Sequence, residues 1–329
     1  MMKSILITGA SGFIGSFIVE EALNRGLEVW AAVRSTSSRR YLNDERIKFL
    51  DLDFSTKDSI RKTLQGHHWD YIVHAAGATK CLHKSDFYKV NTLGTKNFID
   101  AIIDLDIIPE KFVFMSSLSA VGAVRESYPY TDIEESDIPV PNTTYGDSKM
   151  SAERYLEQFV KKVPIVMLRP TGVYGPREKD YLMMADSIRR HVDFAVGFRP
   201  QEITFVYVAD LVKAVFLALE RGESGRKFFI SDGNVYRSAD FSKLIKKELG
   251  ISFVFRIVAP VWLLWIICQM GGLWGRMTGK MSALNMDKFN ILRQRNWRCD
   301  IRPAREELGY EPEYDLTKGV RSWLKDEFI

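Results

Sequence analysis

Cysteine is scarce in this chain of 329 residues, which has only three copies, at Cys81, Cys268 and Cys299. The number is odd, and the spacing fits neither a disulfide framework nor a zinc site. We therefore expect free thiols, no bound metal and a cytoplasmic protein. An apolar strand pattern begins already at Lys3, so no cleavable signal peptide is expected.

A strong excess of one charge is also missing. The 46 Lys and Arg residues are nearly balanced by 42 Asp and Glu residues, and the formal net charge is +4. This weakly basic balance argues against a nucleic-acid partner. Internal repeats and low-complexity segments are absent. Hydrophobic residues make up 46% of the chain, which is enough for one large domain or two interleaved ones.

A hydrophobic run long enough for a standard bilayer span, about 20 residues, is not found. The stretch 257–274 comes nearest. It has no polar residue from Val258 to Cys268, but Pro260 disfavours a continuous helix there and Gln269 ends the run. Its tryptophans and flanking arginines are Trp262, Trp265, Trp274, Arg256 and Arg276. Three interpretations remain open: a buried helix pair, a lipid-facing surface at the inner face of a membrane, and a transmembrane helix.

What the chain does have is a glycine turn near its start. Residues 3–15 read KSILITGASGFIG, an apolar run followed by three evenly spaced glycines and then a helix-like pattern. Gly9 permits a tight turn, Gly12 lets the backbone approach a diphosphate, and Gly15 lets helix and strand pack closely. The free N–H groups of the helix attract phosphate. The order predicts a dinucleotide site rather than a turn without a ligand. Its residues would be Gly9, Ser11, Gly12, Phe13 and Ile14.

Apolar runs alternate with helix-like stretches through the first half of the chain. Strands are predicted at 3–8, 27–33, 46–50, 70–75, 111–116 and 164–169. Helices are predicted at 13–25, 57–65, 91–104 and 147–161. Near-continuous apolar strands separated by helices are typical of a parallel sheet covered on both faces. The predicted class is therefore α/β, a doubly wound (Rossmann) parallel sheet with a smaller, interleaved C-terminal substrate domain.

The second half is less regular. It contains a strand that runs into a helix at 203–221, a strand at 226–231 and a helix at 238–249 that Gly250 ends. We expect these pieces to alternate between two domains. The predicted dinucleotide-binding domain is 1–175 with 203–231 returning to it, and the predicted substrate domain is 176–202 with 232–329.

The end of the second strand selects the nicotinamide cofactor. An acidic residue there binds the ribose 2′-hydroxyl of NAD, whereas a nearby Arg accommodates the 2′-phosphate of NADP. Val33 stands where the acid is expected, and Arg34 follows, with Arg39 and Arg40 close by. The sequence predicts NADP(H) over NAD(H), bound through Arg34. The alternative is a solvated basic loop.

Two further strand ends fit a cofactor cleft. Asp51 and Leu52 close the third strand, where Asp51 could bind the adenine amino group. The fourth strand ends in Ala75, Ala76 and Gly77, whose small side chains leave room for a ribose. Ligands of such sheets bind beyond the carboxyl ends of the strands. We therefore assign all five residues to the cofactor site.

A catalytic pair is indicated by Tyr145 and Lys149, which are four residues apart in TYGDSK. At this spacing both side chains share one helix face. A free phenol has a pKa of about 10, and a neighbouring ammonium stabilises its phenolate. Ser117, at the end of the fifth strand, adds a hydroxyl from another element. The three residues are predicted to carry the chemistry.

Together these motifs resemble the extended short-chain dehydrogenase/reductase superfamily, which includes the NAD-dependent epimerase/dehydratase family. The shared motifs are TGASGFIG, DLD, HAAG, VNTLGT, MSSLSAVG, YGDSK, RPTGVYGPR and FVYVADLVKA. The match covers about residues 3–217 and recurs near 299–320. The resemblance implies that Tyr145 is the general acid/base. Lys149 would lower its pKa and bind the nicotinamide ribose, and Ser117 would hydrogen-bond the reacting oxygen.

The same resemblance extends the predicted cofactor site. Asn91 would support the active site from its helix, and Pro170, Gly172 and Val173 would line the nicotinamide end. Tyr145 and Lys149 belong to the cofactor site as well. Two serines take lesser roles, because Ser119 would add a secondary polar contact and Ser116 is expected to be a satisfied strand-end hydroxyl. A homodimer joined through helices 91–104 and 147–161 is also implied.

The superfamily divides by substrate. Sugar-nucleotide members typically carry an Asn at the position of Gly172 and often an Arg at that of Ile203, both of which bind the substrate near its diphosphate. Their absence weakens that interpretation, although four arginines could compensate: Arg177, Arg189, Arg190 and Arg199. Epimerases and dehydratases also mostly hold NAD, whereas net reductases more often use NADPH.

We therefore predict an enzyme that interconverts a ketone and a secondary alcohol on a hydrophobic, lipid- or sterol-like substrate. The chain resembles most the branch of hydroxysteroid dehydrogenases, ketone reductases and 3-ketosphinganine reductases, and a 3-ketosphinganine-type substrate is the best single guess. The alternative is an NAD(P)-dependent nucleotide-sugar epimerase or dehydratase. A cofactor-sensing protein without catalysis is a third class, which the complete set of Ser117, Tyr145 and Lys149 disfavours.

Overall fold

A computed structural model describes residues 2–279, 282 and 284–328. The strands are β1 (Ser4–Thr8), β2 (Glu28–Val33), β3 (Lys48–Asp51), β4 (Tyr71–His74), β5 (Lys111–Met115), β6 (Ile165–Pro170), β7 (Gly172–Tyr174), β8 (Val192–Val196), β9 (Glu202–Ile203), β10 (Phe205–Tyr207), β11 (Lys227–Ile230), β12 (Tyr236–Arg237), β13 (Phe255–Ala259) and β14 (Asn296–Trp297). The α-helices are α1 (Phe13–Asn24), α2 (Lys57–Leu64), α3 (Lys84–Phe87), α4 (Gly94–Asp104), α5 (Thr144–Leu156), α6 (Lys179–Arg189), α7 (Val208–Arg221), α8 (Ser238–Glu248), α9 (Val261–Thr278), α10 (Met286–Arg293) and α11 (Leu316–Phe328).

The main sheet has seven strands in the order β3-β2-β1-β4-β5-β6-β11, and every neighbouring pair is parallel. Successive strands are joined by helices, because parallel strands need a crossover connection. The predicted α/β, doubly wound class is confirmed. The strand order reverses between β1 and β4, and the carboxyl ends of strands beside such a reversal form the usual ligand crevice.

The core is built as two layers, one on each face of the sheet. Successive side chains of a strand point to opposite faces. Ile5 and Ile7 therefore belong to one cluster, which α1 and α7 cover, whereas Leu6 belongs to the other, which α2, α4 and α5 cover. All three side chains are fully buried. The two-sided burial explains why these strands are apolar without alternation.

The remaining elements pack outside the main sheet. Three small sheets are formed by β12-β9-β14, β10-β7 and β13-β8. An aromatic cluster joins α6, α8 and α11 to β7 and β10, and its large members are Tyr174, Phe205, Phe241 and Trp323. The chain returns to the main sheet through β11. The domain limits given above stay a prediction, and they also span Met1, Lys280, Met281, Ala283 and Ile329, which lie outside the described residues.

Two predicted helix boundaries were wrong, and the stretch 257–274, for which no boundary was predicted, forms two elements. The helix predicted at 147–161 begins at Thr144, because the Thr143 hydroxyl accepts a hydrogen bond from the Gly146 N–H and caps it. The helix predicted at 91–104 begins with π-helical residues Tyr88–Leu93. The stretch 257–274 is divided between β13 and α9, which meet at Pro260.

Candidate active site

The glycine turn packs against the end of β4. Gly9 has φ +68°, and a Cβ atom there would lie 2.7 Å from the Ala76 nitrogen. A Cβ atom at Gly15 would lie 2.1 Å from the Gly9 carbonyl oxygen. Helix α1 begins at Phe13, after Gly12, with no side-chain cap and no acidic residue in its first turn. Its N–H groups and dipole therefore fit a diphosphate, and Ser11 and Ile14 lie in the same turn.

The other predicted cofactor residues lie along the same edge of the sheet. Asp51 ends β3 opposite Val33, and the Leu52 N–H donates to the Val33 carbonyl oxygen at 3.0 Å. Beyond β4, the Ala76 N–H donates to the Thr8 hydroxyl at 3.2 Å. Ala75 is partly buried against the core beside this bond. Small residues here leave the crevice between β1 and β4 open to a dinucleotide.

Arg34 is exposed where β2 ends. The guanidinium groups of Arg39 and Arg40 lie over aromatic rings, 4.1 Å from Phe49 and 4.3 Å from Tyr41. Hydrogen bonds from Ser55 lower the pKa of Asp53, and the charge of Arg34 adds to this effect. Arg34 thus places a cation at the strand end where the cofactor ribose is expected.

Tyr145 and Lys149 lie in the first two turns of α5, beside the end of β5. The Lys149 Nζ donates to the Met115 carbonyl oxygen at 2.7 Å and lies 4.8 Å from the ring centroid of Phe114. Ser117 lies two residues after β5 ends, and its hydroxyl lies close enough to the Tyr145 phenol to lower the pKa of that phenol. The fold therefore brings together the three residues that the sequence predicts to carry the chemistry.

Burial dominates the proton affinities of this pair. It raises the pKa of Tyr145 to about 12, and the Ser117 hydroxyl opposes this rise. It also lowers the pKa of Lys149 to about 8, against the charge of Glu153. Lys149 is not among the groups that shift the Tyr145 pKa in this arrangement, in which its Nζ donates to the Met115 carbonyl oxygen. Tyr145 is consequently a neutral phenol near pH 7, which is the form that donates a proton.

A buried ion pair below Tyr145 and Lys149 was missed by sequence reasoning. Glu153 on α5 accepts hydrogen bonds from Arg169 at 2.6 and 3.0 Å, and the two side chains are only 1% and 2% exposed. The Ser116 hydroxyl also donates to Glu153, so Ser116 is a satisfied strand-end hydroxyl, as predicted. The one available signal was spacing, because Glu153 follows Lys149 by four residues on the same helix.

Asn91 ties the end of β4 to the catalytic helix. Its amide accepts from the Ala78 N–H at 2.8 Å and donates to the Ala78 carbonyl oxygen at 3.0 Å. It also donates to the Ser148 hydroxyl at 2.9 Å. A Cβ atom at Gly77 would lie 3.0 Å from the Lys149 Nζ and 3.2 Å from the Asn91 Oδ1. The π-helical turn that holds Asn91 is a common feature of functional sites.

Ser119 packs beside Ser117 and Gly146 through its backbone atoms, rather than making an evident polar side-chain contact with Tyr145 or Lys149. Its N–H donates to the Ser117 hydroxyl at 3.1 Å. Its carbonyl oxygen would lie 2.1 Å from a Cβ atom at Gly146, so Gly146 is what allows α5 to approach this turn. Both contacts hold Ser117 close to the start of α5.

His74 links β1 to α4 from inside the protein. Its Nδ1 hydrogen-bonds the Thr8 hydroxyl at 2.8 Å, and its Nε2 hydrogen-bonds the Thr95 hydroxyl at 3.0 Å. The ring also stacks on Phe114, with the centroids 5.8 Å apart. Burial and the nearby charge of Lys149 lower the pKa of His74 to about 3. The ring is therefore neutral over the physiological range.

This shift predicts acid sensitivity. Below pH 6.5 the unfolded chain protonates His74, whereas the folded protein does not until about pH 3. The free energy of unfolding should therefore fall with falling pH by about 1.4 kcal/mol per unit through this group. Urea unfolding at several pH values should show a shallower slope for His74→Gln and an unchanged one for His68→Gln, at an exposed site. Equal slopes for the wild type and His74→Gln would contradict the assignment.

The predicted nicotinamide end is bounded by β6 and β7. Pro170 ends β6, and Val173 in β7 packs partly buried against the core. A Cβ atom at Gly172 would lie 2.6 Å from the Tyr181 hydroxyl and 3.2 Å from the ring of Phe205. The space that a side chain at position 172 would need is therefore occupied by Tyr181 and Phe205.

Three of the four arginines that could compensate for the missing diphosphate ligands are engaged in ion pairs elsewhere. Ile203 pairs with Tyr236 and Trp297 in a small sheet. The Arg177 guanidinium donates to the Ser16 hydroxyl at 2.8 Å and pairs with Glu20 on α1. Arg189 and Arg190 both pair with Asp186, and Arg199 is exposed.

A cavity of about 380 Å³ lies beside Tyr145, which does not line it but contacts two of its lining residues. Its walls are the segment around α3 and the facing parts of α9 and α10. The lining residues are Cys81, Leu82, Lys84, Phe87, Gln269, Met270, Gly271, Gly272, Leu273, Gly275, Ser282, Asn285, Met286 and Asp287. Two of them contact Tyr145. The Phe87 ring centroid lies 6.3 Å from that of Tyr145, and Asp287 accepts from the Tyr145 N–H at 3.3 Å.

All three cysteines have free thiols. Among the described residues, no three His, Cys, Asp or Glu side chains cluster closely enough to hold a metal ion. Within the same part of the chain, no helix has both the length and the hydropathy needed to cross a membrane.

Curated relatives of the chain carry out two kinds of chemistry. It is 26% identical over 334 residues to a UDP-glucose 4-epimerase of Vibrio cholerae, covering 98% of this chain and 94% of the relative. It is 24% identical over 354 residues to a decarboxylating sterol-4-alpha-carboxylate 3-dehydrogenase of Schizosaccharomyces pombe, covering 99% and 98%. Both relatives are matched over nearly their full length.

A solved structure shows the same fold. The UDP-glucose 4-epimerase of Thermotoga maritima, with UDP-glucose, superposes with a TM-score of 0.78 at 24% identity, over 98% of this chain and 97% of the other. The model of the NAD dependent epimerase/dehydratase family matches residues 5–231, which is more than half of the chain. Those residues contain the glycine turn, Ser117, Tyr145 and Lys149. The protein therefore belongs to the NAD dependent epimerase/dehydratase family, in the extended short-chain dehydrogenase/reductase superfamily, whose enzymes act with a nicotinamide dinucleotide.

Proposed function

We propose that this enzyme is an NADP(H)-dependent oxidoreductase that interconverts a ketone and a secondary alcohol on a hydrophobic, lipid- or sterol-like substrate. The observation that carries the proposal is the cavity beside Tyr145, which is walled largely by apolar side chains and glycines of α9 and by Leu82 and Phe87. Pockets of this volume and lining suit apolar ligands with a single polar group. A ketone oxygen directed at Tyr145 would be that group.

The chain's own residues account for the proton. Tyr145, a neutral phenol, donates its proton to the carbonyl oxygen, and the Ser117 hydroxyl donates a hydrogen bond to the same oxygen. The phenolate that remains takes up a proton from solvent, and Lys149, one turn further along α5, would stabilise it if its ammonium turned from the Met115 carbonyl oxygen toward the phenol. The bound cofactor supplies the hydride that the carbonyl carbon receives. The ketone thus gains one hydride and one proton and becomes a secondary alcohol.

The surroundings of Gly172 support an apolar substrate. An Asn side chain there would collide with Tyr181 and Phe205, and the sugar-nucleotide members use such an Asn near the diphosphate. Position 203 carries an uncharged Ile. In the contacts described above, the four arginines do not form a cluster of cations at the cavity. A sterol dehydrogenase among the relatives is consistent with this. Within the class, a 3-ketosphinganine-type substrate remains our best single proposal.

A second candidate is a nucleotide-sugar epimerase or dehydratase. The epimerase of Vibrio cholerae, at 26% identity, favours it. The two candidates differ in net cofactor use, because an epimerase or dehydratase returns the hydride within one cycle. Purified protein should be given NADPH with 3-ketosphinganine, a 3-ketosteroid or UDP-glucose in turn. Alcohol formed in step with NADPH loss supports the proposal, whereas sugar conversion without NADPH loss contradicts it.

The NADP(H) preference predicts the effect of changing Arg34. A charge-assisted hydrogen bond contributes about 1.5–3 kcal/mol. Arg34→Asp should therefore lower kcat/KM for NADPH by about 10–100-fold and raise the relative use of NADH. Arg39→Asp is the matched control, because Arg39 lies over Phe49. An unchanged NADPH/NADH ratio in Arg34→Asp would refute the assignment of Arg34.

We also propose that the enzyme is a homodimer. Tyr88, Val90 and Leu93 are large apolar or aromatic side chains that stay exposed on the π-helical turn before α4. This turn packs on α5, so both helices could meet a second copy at one face. Mass measurement in solution should give twice the chain mass, and Val90→Lys with Leu93→Lys should give the monomer.

A further inference from the structure

Helix α9 touches the rest of the protein by one narrow stripe. Leu264 and Cys268 are buried against Phe289 of α10. Gly271 and Gly275 continue the stripe at the spacing of one helix face. A Cβ atom at Gly271 would lie 2.3 Å from the Leu284 carbonyl oxygen, so the helix can approach only with glycine there. The sequence interpretation of a buried helix pair is therefore wrong for most of α9.

The opposite side of α9 is apolar and exposed. With about 3.6 residues per turn, Trp262, Ile266 and Leu273 lie directly across the helix from Leu264. Their exposed fractions are 65%, 39% and 59%. The side chains that complete this side are Leu263, Trp265, Ile267, Met270, Trp274 and Met277, all exposed. Such a continuous exposed apolar patch marks an interaction surface.

The two-stranded ribbon before α9 extends this surface. Phe194 in β8 pairs with Ile257 in β13, so their side chains share one face, together with Phe255. Phe194 is 66% and Phe255 60% exposed. Phe198 and Phe253, at the ends of the ribbon, are also exposed. We call these five residues and the exposed side chains of α9 the apolar surface.

The exposed charged side chains of the ribbon and of the residues that follow it are positive. Residues 249–286 contain no Asp or Glu, and Arg256, in β13 itself, is exposed. Exposed Arg199 directly follows Phe198. The acidic residue nearest in the ribbon, Asp193, is buried and faces Arg256 at 3.8 Å. Apolar side chains rimmed by cations complement a bilayer with anionic headgroups, and tryptophans favour its interface.

The apolar surface adjoins the cavity beside Tyr145. Met270 and Leu273 line the cavity and are also 66% and 59% exposed. They therefore belong both to the cavity wall and to the outer side of α9. A molecule that leaves a bilayer at this helix would meet the cavity without crossing water.

We propose that the apolar surface docks the enzyme on an anionic bilayer, with α9 lying in the interface and the cavity mouth facing the lipid. The docking proposal depends only on the apolar surface and not on the proposed function. The transfer of a lipid ketone from the bilayer into the cavity rests on the function proposed above. Helix α9 lies in the plane of the interface in this arrangement and does not span the membrane.

The test is sedimentation of the full chain with vesicles of phosphatidylcholine alone or mixed with phosphatidylglycerol. We expect binding to the mixed vesicles that weakens as salt is raised. Trp262→Ser with Trp274→Ser should lower the partition coefficient by about tenfold or more, because two large aromatic groups no longer enter the interface. Tyr128→Ser with Ile138→Ser is the matched control, since both side chains are exposed outside the apolar surface.

Three outcomes would overturn the docking proposal. In the first, the wild type binds neither kind of vesicle. In the second, the Trp262/Trp274 variant binds as well as the wild type. In the third, the wild type is a dimer that does not bind vesicles and the variant is a monomer. The last would make the apolar surface an interface between copies. Circular dichroism should show that the variants are folded.

Sedimentation uses neither substrate nor cofactor, so docking can hold even if the reductase proposal fails. A second measurement joins the two proposals. The Trp262/Trp274 variant should reduce a ketone dissolved in mild detergent as fast as the wild type does, and a ketone embedded in vesicles about tenfold more slowly. Equal rates on the embedded ketone would contradict transfer from the bilayer.

Discussion

Tyr145→Phe is expected to lower kcat by about 10²–10⁴-fold, the usual contribution of a positioned acid or base. The substitution removes only the phenol oxygen, which is the proposed proton donor, and leaves the ring beside Phe87. Binding of NADPH, measured by fluorescence titration, should weaken by no more than about tenfold, because a lost neutral hydrogen bond contributes only about 0.5–1.5 kcal/mol. The effect should therefore fall on turnover.

Tyr155→Phe is the matched control for this experiment. Tyr155 lies on the same helix, but its hydroxyl donates to Asp100 at 2.7 Å. Its removal should leave turnover unchanged. If Tyr145→Phe kept full turnover, the acid would have to be another group. If neither the wild type nor the variant turned over any substrate while both bound NADPH, the cofactor-sensing interpretation would gain support.

Of the substitutions considered, Glu153→Gln should lower the free energy of unfolding the most. Removing one partner of a buried ion pair leaves the other charge uncompensated and costs about 3–5 kcal/mol. Arg169 would be left in this state, at 2% exposure. Urea unfolding should show the loss as a lower midpoint. Because the charge of Glu153 also supports the protonated form of Lys149, the Lys149 pKa should fall further in the variant.

The control for this prediction is Glu157→Gln. Glu157 pairs with Lys227 at the same end of the helix, but it is largely exposed. Exposed pairs contribute about 0–1 kcal/mol, so its midpoint should hardly move. Equal losses in the two variants would mean that the buried pair has no special role.

The main sheet and the glycine turn were predictable because their signals are local. Strands buried on both faces read as apolar runs, and the close approach of Gly9 and Gly15 to the backbone tolerates no other residue. Helix ends were less accurate. The start of α5 depends on one cap at Thr143, and the π-helical turn at Asn91 has no clear pattern in the sequence.

Other features depend on contacts between distant residues. Glu153 and Arg169 look like ordinary charged positions until the fold buries them together. The cavity beside Tyr145 needs α9 and α10 to face the segment around α3. In α9, an all-round apolar sequence predicts burial, whereas only the stripe that ends in Gly271 and Gly275 is in fact covered.

The most direct test of the central claim follows the hydride. Purified enzyme in mild detergent should be given NADPH that carries deuterium at the transferred position, together with 3-ketosphinganine, a 3-ketosteroid or UDP-glucose. We expect one deuterium on the carbinol carbon of a lipid alcohol for each NADPH consumed, and no label with Tyr145→Phe. Conversion of UDP-glucose without consumption of NADPH, and no labelled lipid alcohol, would contradict the account and identify a sugar-nucleotide enzyme.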